Sequence, residues 1–548
     1  MKKKILFVGE ASYLKSGYAA YSRELLSRLQ KTNKYEVMEL ASYGIVNHPE
    51  DNVITWKYFA NAVEKNDPRY QQYSSSPQNQ SGSWRFERLL LEEKPDIVFS
   101  IRDPWVDAFI NLSPYRKHFH YVWMPTCDST PISTEWLQSY KEADIILGYT
   151  DWQVAELKKC GLENVYKSAP HCPPTAFHSL PNKRANKEKA KLDPNSIIIG
   201  TVMRNQKRKL FPDLFEAFNH FIDECNNNGN QELANRTYLY LHTSYPDIAG
   251  WEIPELINHY NLGNKVLFTY KCKHCKNPSI LFYQDVRTIC PHCKHAACTF
   301  PNVGDGVTDE ELMQIYNIFD VYVQYSVAEG FGCPIIESAY CGAVPFAVDI
   351  TAPTDIIKKL ELEPIEVERT FWSLEEKAIR GLPNNQKFGK QLYNFLRKPE
   401  PMRTIIRNQI IDNAKTHYNW DNTVNVWMEC FDSLEPKNNW NISPKLHQPG
   451  QVNMNIQSNY EFTKEAFIKI LGKPELVHSY FFVNLVYSLN NGISRDDAKI
   501  NPFHREHLVK LLTDMSGKYN QFEQLRGNNY LNKEDWIEYA NLKAKANS

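Results

Sequence analysis

The sequence lacks an excess of charge of either sign. Its 63 lysine and arginine residues are balanced by 64 aspartate and glutamate residues, which gives a formal net charge of -1 at pH 7. A chain this balanced does not hold nucleic acid through its overall charge, although a local basic face is compatible with it. Hydrophobic residues make up 42% of the chain, which excludes disorder throughout.

Long apolar segments are lacking as well. Lys2, Lys3 and Lys4 precede only a short apolar run at residues 5–8, which is too short for the core of a secretory signal. The longest later run, at residues 476–489, is interrupted by polar side chains and is too short to cross a bilayer. We therefore expect a cytoplasmic protein without a transmembrane segment.

Short apolar runs alternate with helical patterns along most of the chain. Ser16 is placed to cap a helix whose apolar stripe includes Tyr21, Leu25 and Leu26. Alternation of this kind predicts an α/β protein with two doubly wound parallel sheets. The runs that indicate buried strands lie at residues 4–9, 35–40, 95–100, 120–125 and 143–148 and, in a second series, at 196–202, 238–242 and 265–269.

A polar, lysine-rich patch at residues 182–191 is the predicted linker between two Rossmann-like domains. Residues 71–83 are rich in glutamine, serine and asparagine and are predicted to form a loop. The predicted units are an N-terminal domain at 1–175, a C-terminal domain at 192–434, an insertion at 270–300 and a helical accessory region at 440–548.

A glycine-rich segment offers the clearest candidate for chemistry. Glu329 and Glu337 enclose the stretch Gly-Phe-Gly-Cys-Pro-Ile-Ile, which follows an apolar run at 321–325 and leads into a helix. The two glycines let a ligand approach the backbone closely, and the N–H groups of a helix N-terminus attract an anionic diphosphate. The alternative is a strand followed by an ordinary capped helix.

This segment resembles the donor-site motif of retaining GT-B glycosyltransferases of family 4, the glycogen synthase and sucrose synthase superfamily. The resemblance covers about residues 1–434 and implies that the domain at 1–175 is on the acceptor side and that the domain at 192–434 binds the donor. It implies that Glu329 lies beside the transferred sugar and that Glu337 holds the ribose hydroxyls of the nucleotide. Arg204 and Lys209 fit the family's pair that clamps the donor diphosphate, so no catalytic metal is expected.

The resemblance also implies roles for residues elsewhere in the chain. His171 lies in Pro-His-Cys, where many relatives have Pro-His-Gly, and is either catalytic or structural. Asp128 is a candidate polar group on the acceptor side. Together with Glu329 these are the catalytic candidates, and the predicted donor-binding residues are Gly17, Arg204, Lys209, Gly330, Phe331, Gly332 and Glu337.

Two Cys-x-x-Cys pairs, Cys272 with Cys275 and Cys290 with Cys293, are separated by fourteen residues. This spacing is typical of a ribbon in which four thiolates hold one structural zinc ion. Cys298 and three nearby histidines are substitutes or bystanders. The basic side chains of the ribbon predict either contact with nucleic acid or another acceptor, or a ribbon that only stabilises an inserted loop.

The combination of ribbon and donor motif resembles glycosyltransferases of large DNA phages. This implies a nucleoside-diphosphate sugar as donor and, as acceptor, a hydroxymethylated base such as hydroxymethylcytosine in DNA, with the host cytoplasm as location. The alternative acceptor is a cell-surface polysaccharide or another glycan. A third hypothesis is a non-catalytic protein of the same fold that binds a nucleotide sugar or nucleic acid.

Overall fold

The computed structural model describes residues 2–48, 53–113, 115–284, 288–302, 305–437 and 440. Two α/β domains, each built on a parallel sheet, account for these residues, and the predicted fold class of two Rossmann-like domains is confirmed. The predicted accessory region beyond residue 440 lies outside the described residues. Within the described ranges, no helix is both long enough and apolar enough to span a membrane.

The N-terminal domain has strands in the order β3-β2-β1-β4-β5-β6-β7, all paired in parallel. Residues 5–8 of the central strand β1 are fully buried, as a parallel sheet covered on both faces requires. The strands are β1 (Lys3–Glu10), β2 (Tyr35–Ser42), β3 (Lys57–Ala60), β4 (Ile97–Ser100), β5 (His120–Trp123), β6 (Ile145–Gly148) and β7 (Val165–Ser168).

Helices connect these strands. Ser16 caps the first helix, because its Oγ accepts a hydrogen bond from the backbone N–H of Ala19 at 3.2 Å. The helices are α1 (Gly17–Lys31), α2 (Tyr70–Ser74), α3 (Pro77–Gln80), α4 (Ser83–Glu93), α5 (Pro104–Asn111), α6 (Thr134–Glu142), α7 (Asp151–Lys159) and, in the linker, α8 (Lys183–Lys189).

The prediction of a loop over residues 71–83 is wrong, because α2 and α3 lie there. Ser76 Oγ accepts from the N–H of Asn79 at 3.0 Å, and Pro77 occupies the first turn of α3. These two helix-start signals outweigh the polar composition of the segment.

The C-terminal domain has the strand order β11-β10-β9-β8-β13-β14, in which β11 alone of this series pairs antiparallel. Its strands are β8 (Ile197–Val202), β9 (Thr237–His242), β10 (Val266–Cys272), β11 (Pro278–Phe282), β12 (Cys298–Thr299), β13 (Val321–Gln324) and β14 (Val344–Ala347), with a separate hairpin of β15 (Val367–Ser373) and β16 (Ala378–Pro383). Its helices are α9 (Phe211–Asn227), α10 (Gln231–Arg236), α11 (Ile253–His259), α12 (Asp309–Ile318), α13 (Cys333–Tyr340), α14 (Pro353–Leu360), α15 (Asn385–Leu396), α16 (Glu400–His417) and α17 (Trp420–Asp432).

Helix α17 packs against the N-terminal domain. The indole N–H of Trp427 donates to the hydroxyl of Tyr21 at 2.8 Å, and that of Trp420 donates to the backbone oxygen of Pro173 at 3.0 Å. Both tryptophans are buried. Their burial joins the end of the described chain to the first domain and fixes how the two sheets face one another.

Candidate active site

The loop between β13 and α13 carries the glycine-rich motif. Gly332 has a φ of 103°, a conformation that side chains disfavour, and a Cβ there would lie 2.8 Å from Ile335 Cδ1. No side chain caps the N-terminus of α13. Pro334 in the first turn has no N–H, and the N–H of Ile335 donates to the backbone oxygen of Gly332 at 2.9 Å. Among the first three residues of α13, this leaves the N–H of Cys333 for an anion.

Glu329 lies at the start of this loop and is bound by two cations. Lys209 Nζ contacts its Oε1, and Arg208 Nη1 lies 2.9 Å from its Oε2. Gln324 Nε2 also donates to Oε1, at 2.6 Å. Burial raises the pKa of Glu329, but Lys209 and Arg208 outweigh it and lower the pKa to about 2. The carboxylate is therefore ionised at any ordinary working pH.

The pKa of Lys209, one of the two cations that bind Glu329, is also shifted by its surroundings. Burial lowers the pKa of Lys209 to about 8, while the attraction of Glu329 opposes that fall. The same carboxylate raises the pKa of Arg208. Sequence reasoning missed Arg208, although it lies directly before Lys209 in the basic stretch that follows β8.

Arg204, by contrast, lies away from Glu329. Its Nε donates to Asp247 Oδ2 at 2.9 Å, and 55% of its side chain is exposed. Within the described residues, the structure thus brings one member of the predicted diphosphate clamp, Lys209, to the glutamate and leaves the other at the surface of the same domain.

Glu337 and His171 meet on the other side of the motif. Tyr316 donates its hydroxyl to Glu337 Oε2 at 2.8 Å, and His171 Nε2 lies 3.6 Å from Glu337 Oε1. His171 is fully buried, and neither ring nitrogen has a hydrogen-bond partner in the described structure. Its ring centroid lies 6.0 Å from that of Phe331. The structure therefore places His171 beside Glu337 and not beside Glu329.

Gly330 allows the two domains to approach one another closely, because a Cβ there would lie 2.3 Å from Thr126 Cγ2. Gln153 Nε2 donates to the backbone oxygen of Gly330 at 2.6 Å. Gly17, a predicted donor-binding residue, is the first residue of α1, and a Cβ there would make an ordinary contact with Cys333 Sγ at 3.9 Å. The donor-side motif thus faces α1 and the end of β5 across a narrow cleft.

Asp128 also reaches across this cleft. Arg380 of β16 donates to its backbone oxygen at 2.6 Å and lies 3.2 Å from its Oδ1. Ser129 Oγ donates to the same Oδ1 at 2.9 Å. The carboxylate predicted as an acceptor-side group therefore takes part in an interdomain ion pair.

The four cysteines of the insertion converge at the end of β10. Cys272 Sγ lies 3.6 Å from Cys293 Sγ, and Cys275 Sγ lies 3.6 Å from Cys290 Sγ. All four sulfur atoms lie within 4.8 Å of one another. Ideal tetrahedral zinc bonds of about 2.3 Å place sulfurs roughly 3.8 Å apart, so the set fits a zinc ion.

The remaining candidates near the ribbon stand outside this set of four. Cys298 of β12 lies opposite Cys272 of β10 in the antiparallel register of these two strands, and both are free thiols. His274 and His295 stack on one another with 3.8 Å between ring centroids, and His292 Nε2 lies 3.2 Å from the backbone oxygen of Pro278. Arg287, a basic residue of the insertion, lies outside the described residues.

Comparison with known proteins agrees with this architecture. Residues 302–394, which include the whole glycine-rich motif, match the family model described as "Glycosyl transferases group 1". The serotype-specific mannosyltransferase WbdA of Escherichia coli is 26% identical over 128 residues, which are 23% of this chain and 14% of that protein. The chain therefore matches only a small part of that relative's length.

Solved structures resemble a much larger share of the chain. Sucrose-phosphate synthase from Thermosynechococcus elongatus superposes with a TM-score of 0.55 at 14% identity, over 79% of this chain and 99% of that one. HepE of Anabaena, solved with UDP and glucose, superposes with a TM-score of 0.54 at 13% identity, over 79% of this chain and all (100%) of that one. The chain has the GT-B fold, and its glycine-rich motif lies in the segment that matches the glycosyltransferase group 1 model.

Proposed function

We propose that this chain is a retaining glycosyltransferase that moves a sugar from a nucleoside-diphosphate sugar to an acceptor hydroxyl. One observation carries the proposal: Glu329 is held by Lys209 and Arg208 in the loop before α13, next to Gly330, which meets Thr126 of the other domain. An ionised carboxylate beside one buried and one exposed cation suits a reaction in which positive charge develops on the sugar and negative charge on the leaving phosphate.

The residues divide this work between them. Glu337 accepts hydrogen bonds from the ribose hydroxyls, and Tyr316 fixes its orientation. Lys209 and the N-terminus of α13 stabilise the diphosphate without a metal ion, while Arg204 lies at the surface of the same domain, paired with Asp247. The bond between the anomeric carbon and the phosphate oxygen breaks while the acceptor oxygen bonds to the same face. The acceptor proton passes to the leaving phosphate.

Comparison supports the class of donor. The HepE structure was solved with UDP and glucose, and its fold matches this chain over both domains. The relative from Escherichia coli is named a mannosyltransferase. A nucleoside-diphosphate sugar is accordingly the proposed donor.

We propose in addition that Cys272, Cys275, Cys290 and Cys293 hold one structural zinc ion. Protein thiolates fill all four positions, so the ion would stabilise the ribbon and would have no open site for catalysis. Lys271 links the start of the ribbon to the loop at Gly306, because its Nζ contacts the backbone oxygen of that residue. A Cβ on Gly306 would lie 3.8 Å from Lys15 Cβ, in the loop before α1.

A hydroxymethylated DNA base, as acceptor, stays a prediction from the sequence, and so does the cytoplasmic location. The exposed side chains of Lys273, Lys276 and Lys294 on the ribbon would suit phosphate contacts. A glycan is the second acceptor class. The two classes differ in charge, which makes the lining of the cleft decisive.

The test is release of nucleoside diphosphate from a panel of nucleotide sugars, without acceptor and with plain DNA, hydroxymethylcytosine DNA or neutral glycans. Release by the parent chain that is lost in Glu329→Ala supports the proposal. Release that is unchanged in Glu329→Ala removes its central residue. Tight binding of a nucleotide sugar without any release would instead support a non-catalytic binding protein.

A further inference from the structure

Three polar side chains on the N-terminal domain meet directly opposite the donor-side motif. The Tyr18 hydroxyl lies 2.5 Å from Thr126 Oγ1 and donates to Asp103 Oδ1 at 3.2 Å. Asp103 and Thr126 come just after β4 and β5, and Tyr18 lies in the first turn of α1, the helix that follows β1. These three strands are neighbours in the sheet. In open α/β sheets, ligands bind at the carboxyl ends of such strands.

Thr126 connects this triad to the loop that carries the Glu329 carboxylate. The methyl group of Thr126 occupies the space that a Cβ on Gly330 would need, at 2.3 Å. Gly330 is the residue after Glu329, so the triad lies where an acceptor would approach the sugar. All three side chains are only half-buried.

Asp103 differs from three nearby carboxylates that are paired with cations. Asp128 has Arg380, Asp107 has Arg102, and Glu329 has two cations. Asp103 has no cationic partner among the described residues, and the groups that bind it are hydroxyls. Burial raises its pKa to about 6 despite the hydrogen bond from Tyr18. An unpaired, partly desolvated carboxylate favours a ligand that donates hydrogen bonds.

The charge around the triad selects among such ligands. Asp128 and Glu10 act electrostatically on Asp103 and Tyr18 respectively, and both are negative. Arg208, which acts electrostatically on Tyr18, is already bound to Glu329, and Arg380 is bound to Asp128. A phosphodiester backbone would be repelled here, whereas a neutral polyol loses nothing to charge and can donate its hydroxyls to Asp103.

An aromatic surface borders the same place. Trp105, two residues after Asp103, is 56% exposed, and its ring centroid lies 5.9 Å from that of Trp136. The neighbour of Trp136, Glu135, pairs with Lys377 at the turn between β15 and β16. An exposed, paired indole next to a hydrogen-bonding carboxylate suits the apolar face of a sugar ring.

We propose that Asp103, Tyr18 and Thr126 form the acceptor subsite and that the acceptor is a neutral carbohydrate. This inference rests on the proposed function, since it assigns the other substrate of the same reaction. Asp103 accepts a hydrogen bond from an acceptor hydroxyl, Tyr18 and Thr126 hold its carboxylate in place, and Trp105 packs against the acceptor ring. Nucleic acid is thereby disfavoured as acceptor.

The experiment compares the parent chain with Asp103→Asn, Tyr18→Phe and the matched control Asp223→Asn, which changes an exposed aspartate on α9. Each protein is assayed for hydrolysis of the donor in water and for transfer to an array of neutral oligosaccharides and to hydroxymethylcytosine DNA. Loss of a hydrogen bond to a charged group is expected to lower transfer to oligosaccharide by about tenfold or more in Asp103→Asn. The control Asp223→Asn should stay within about twofold of the parent in both assays.

The outcomes separate the two proposals. A parent chain that neither binds nor hydrolyses a nucleotide sugar overturns the proposed function and this inference with it. Donor hydrolysis with transfer to hydroxymethylcytosine DNA alone, or to nothing on the array, overturns this inference only. Transfer to oligosaccharide that is equal in Asp103→Asn, Tyr18→Phe and the control also overturns it. Selective loss in Asp103→Asn, with a smaller loss in Tyr18→Phe, supports it.

Discussion

Arg380 and Asp128 fasten the two domains to one another across the candidate active site. Arg380 Nη1 donates to the backbone oxygen of Asp128 at 2.6 Å, and Nη2 lies 3.2 Å from Asp128 Oδ1. The arginine side chain is only 2% exposed. A second contact of the same hairpin, the backbone N–H of Ile379 donating to the oxygen of Thr130 at 2.9 Å, reinforces the joint. The hairpin thus joins the two domains beside the cleft.

Removing this ion pair should weaken closure. In Asp128→Ala the buried guanidinium loses its carboxylate, which is costly, so the closed state becomes less populated. We expect kcat/KM for transfer to fall about tenfold or more, with donor binding little changed. The matched control is Glu135→Gln, which breaks an exposed pair with Lys377 on the same hairpin and should cost little. Equal effects of the two variants would contradict a closing role for Asp128.

Substitution of Glu329 and of Glu337 should change different kinetic parameters, since we assign Glu329 to the chemical step and Glu337 to binding of the donor. Glu329→Gln keeps the shape but removes the charge that balances Lys209 and Arg208, so kcat should fall about a hundredfold or more with a similar donor KM. Glu337→Gln should mainly raise the donor KM. Steady-state kinetics with a saturating acceptor distinguish the two patterns. A donor KM effect in Glu329→Gln with unchanged kcat would reverse the assigned roles.

The pKa of Lys209 predicts how kcat/KM for the donor depends on pH. Its pKa in the free protein is about 8, so its charge is present below that pH and is lost as the pH rises through it. We expect kcat/KM for the donor to fall above about pH 8, since this parameter reports the free enzyme. Lys209→Arg should move the fall to higher pH because a guanidinium keeps its proton. A profile that does not move would assign the titration to another group.

Zinc should depend on the four clustered cysteines and not on Cys298. Elemental analysis of the purified chain is expected to find one zinc ion, which Cys275→Ser or Cys290→Ser removes. The Tm should fall with the metal, since the ion supplies much of the folding energy of so small a ribbon. Cys298→Ser is the matched control, because that cysteine is buried beside the cluster but outside it. Loss of zinc in Cys298→Ser would contradict the assignment of Cys272, Cys275, Cys290 and Cys293 as the complete set of ligands.

Much of the fold could be predicted because local signals carry it. Continuous apolar runs gave the parallel strands, and Ser16 gave the start of α1. The donor motif was equally local, since a strand, two glycines and a helix follow one another within residues 321–340. At residues 71–83, amino-acid composition alone did not predict the structure, because the cap at Ser76 and the proline at 77 decided where a helix forms.

The sequence by itself determined the strand and helix alternation, the glycine-rich loop before α13 and the spacing of the four cysteines. Only the tertiary structure decided that Arg208 and not Arg204 contacts Glu329, that His171 lies beside Glu337, and that Asp128 is bound by Arg380. It also brought Tyr18, Asp103 and Thr126 together. The physical reason is that periodicity, caps and turns act between near neighbours, whereas these contacts join residues far apart in the chain. Their geometry depends on how two sheets and one returning helix pack.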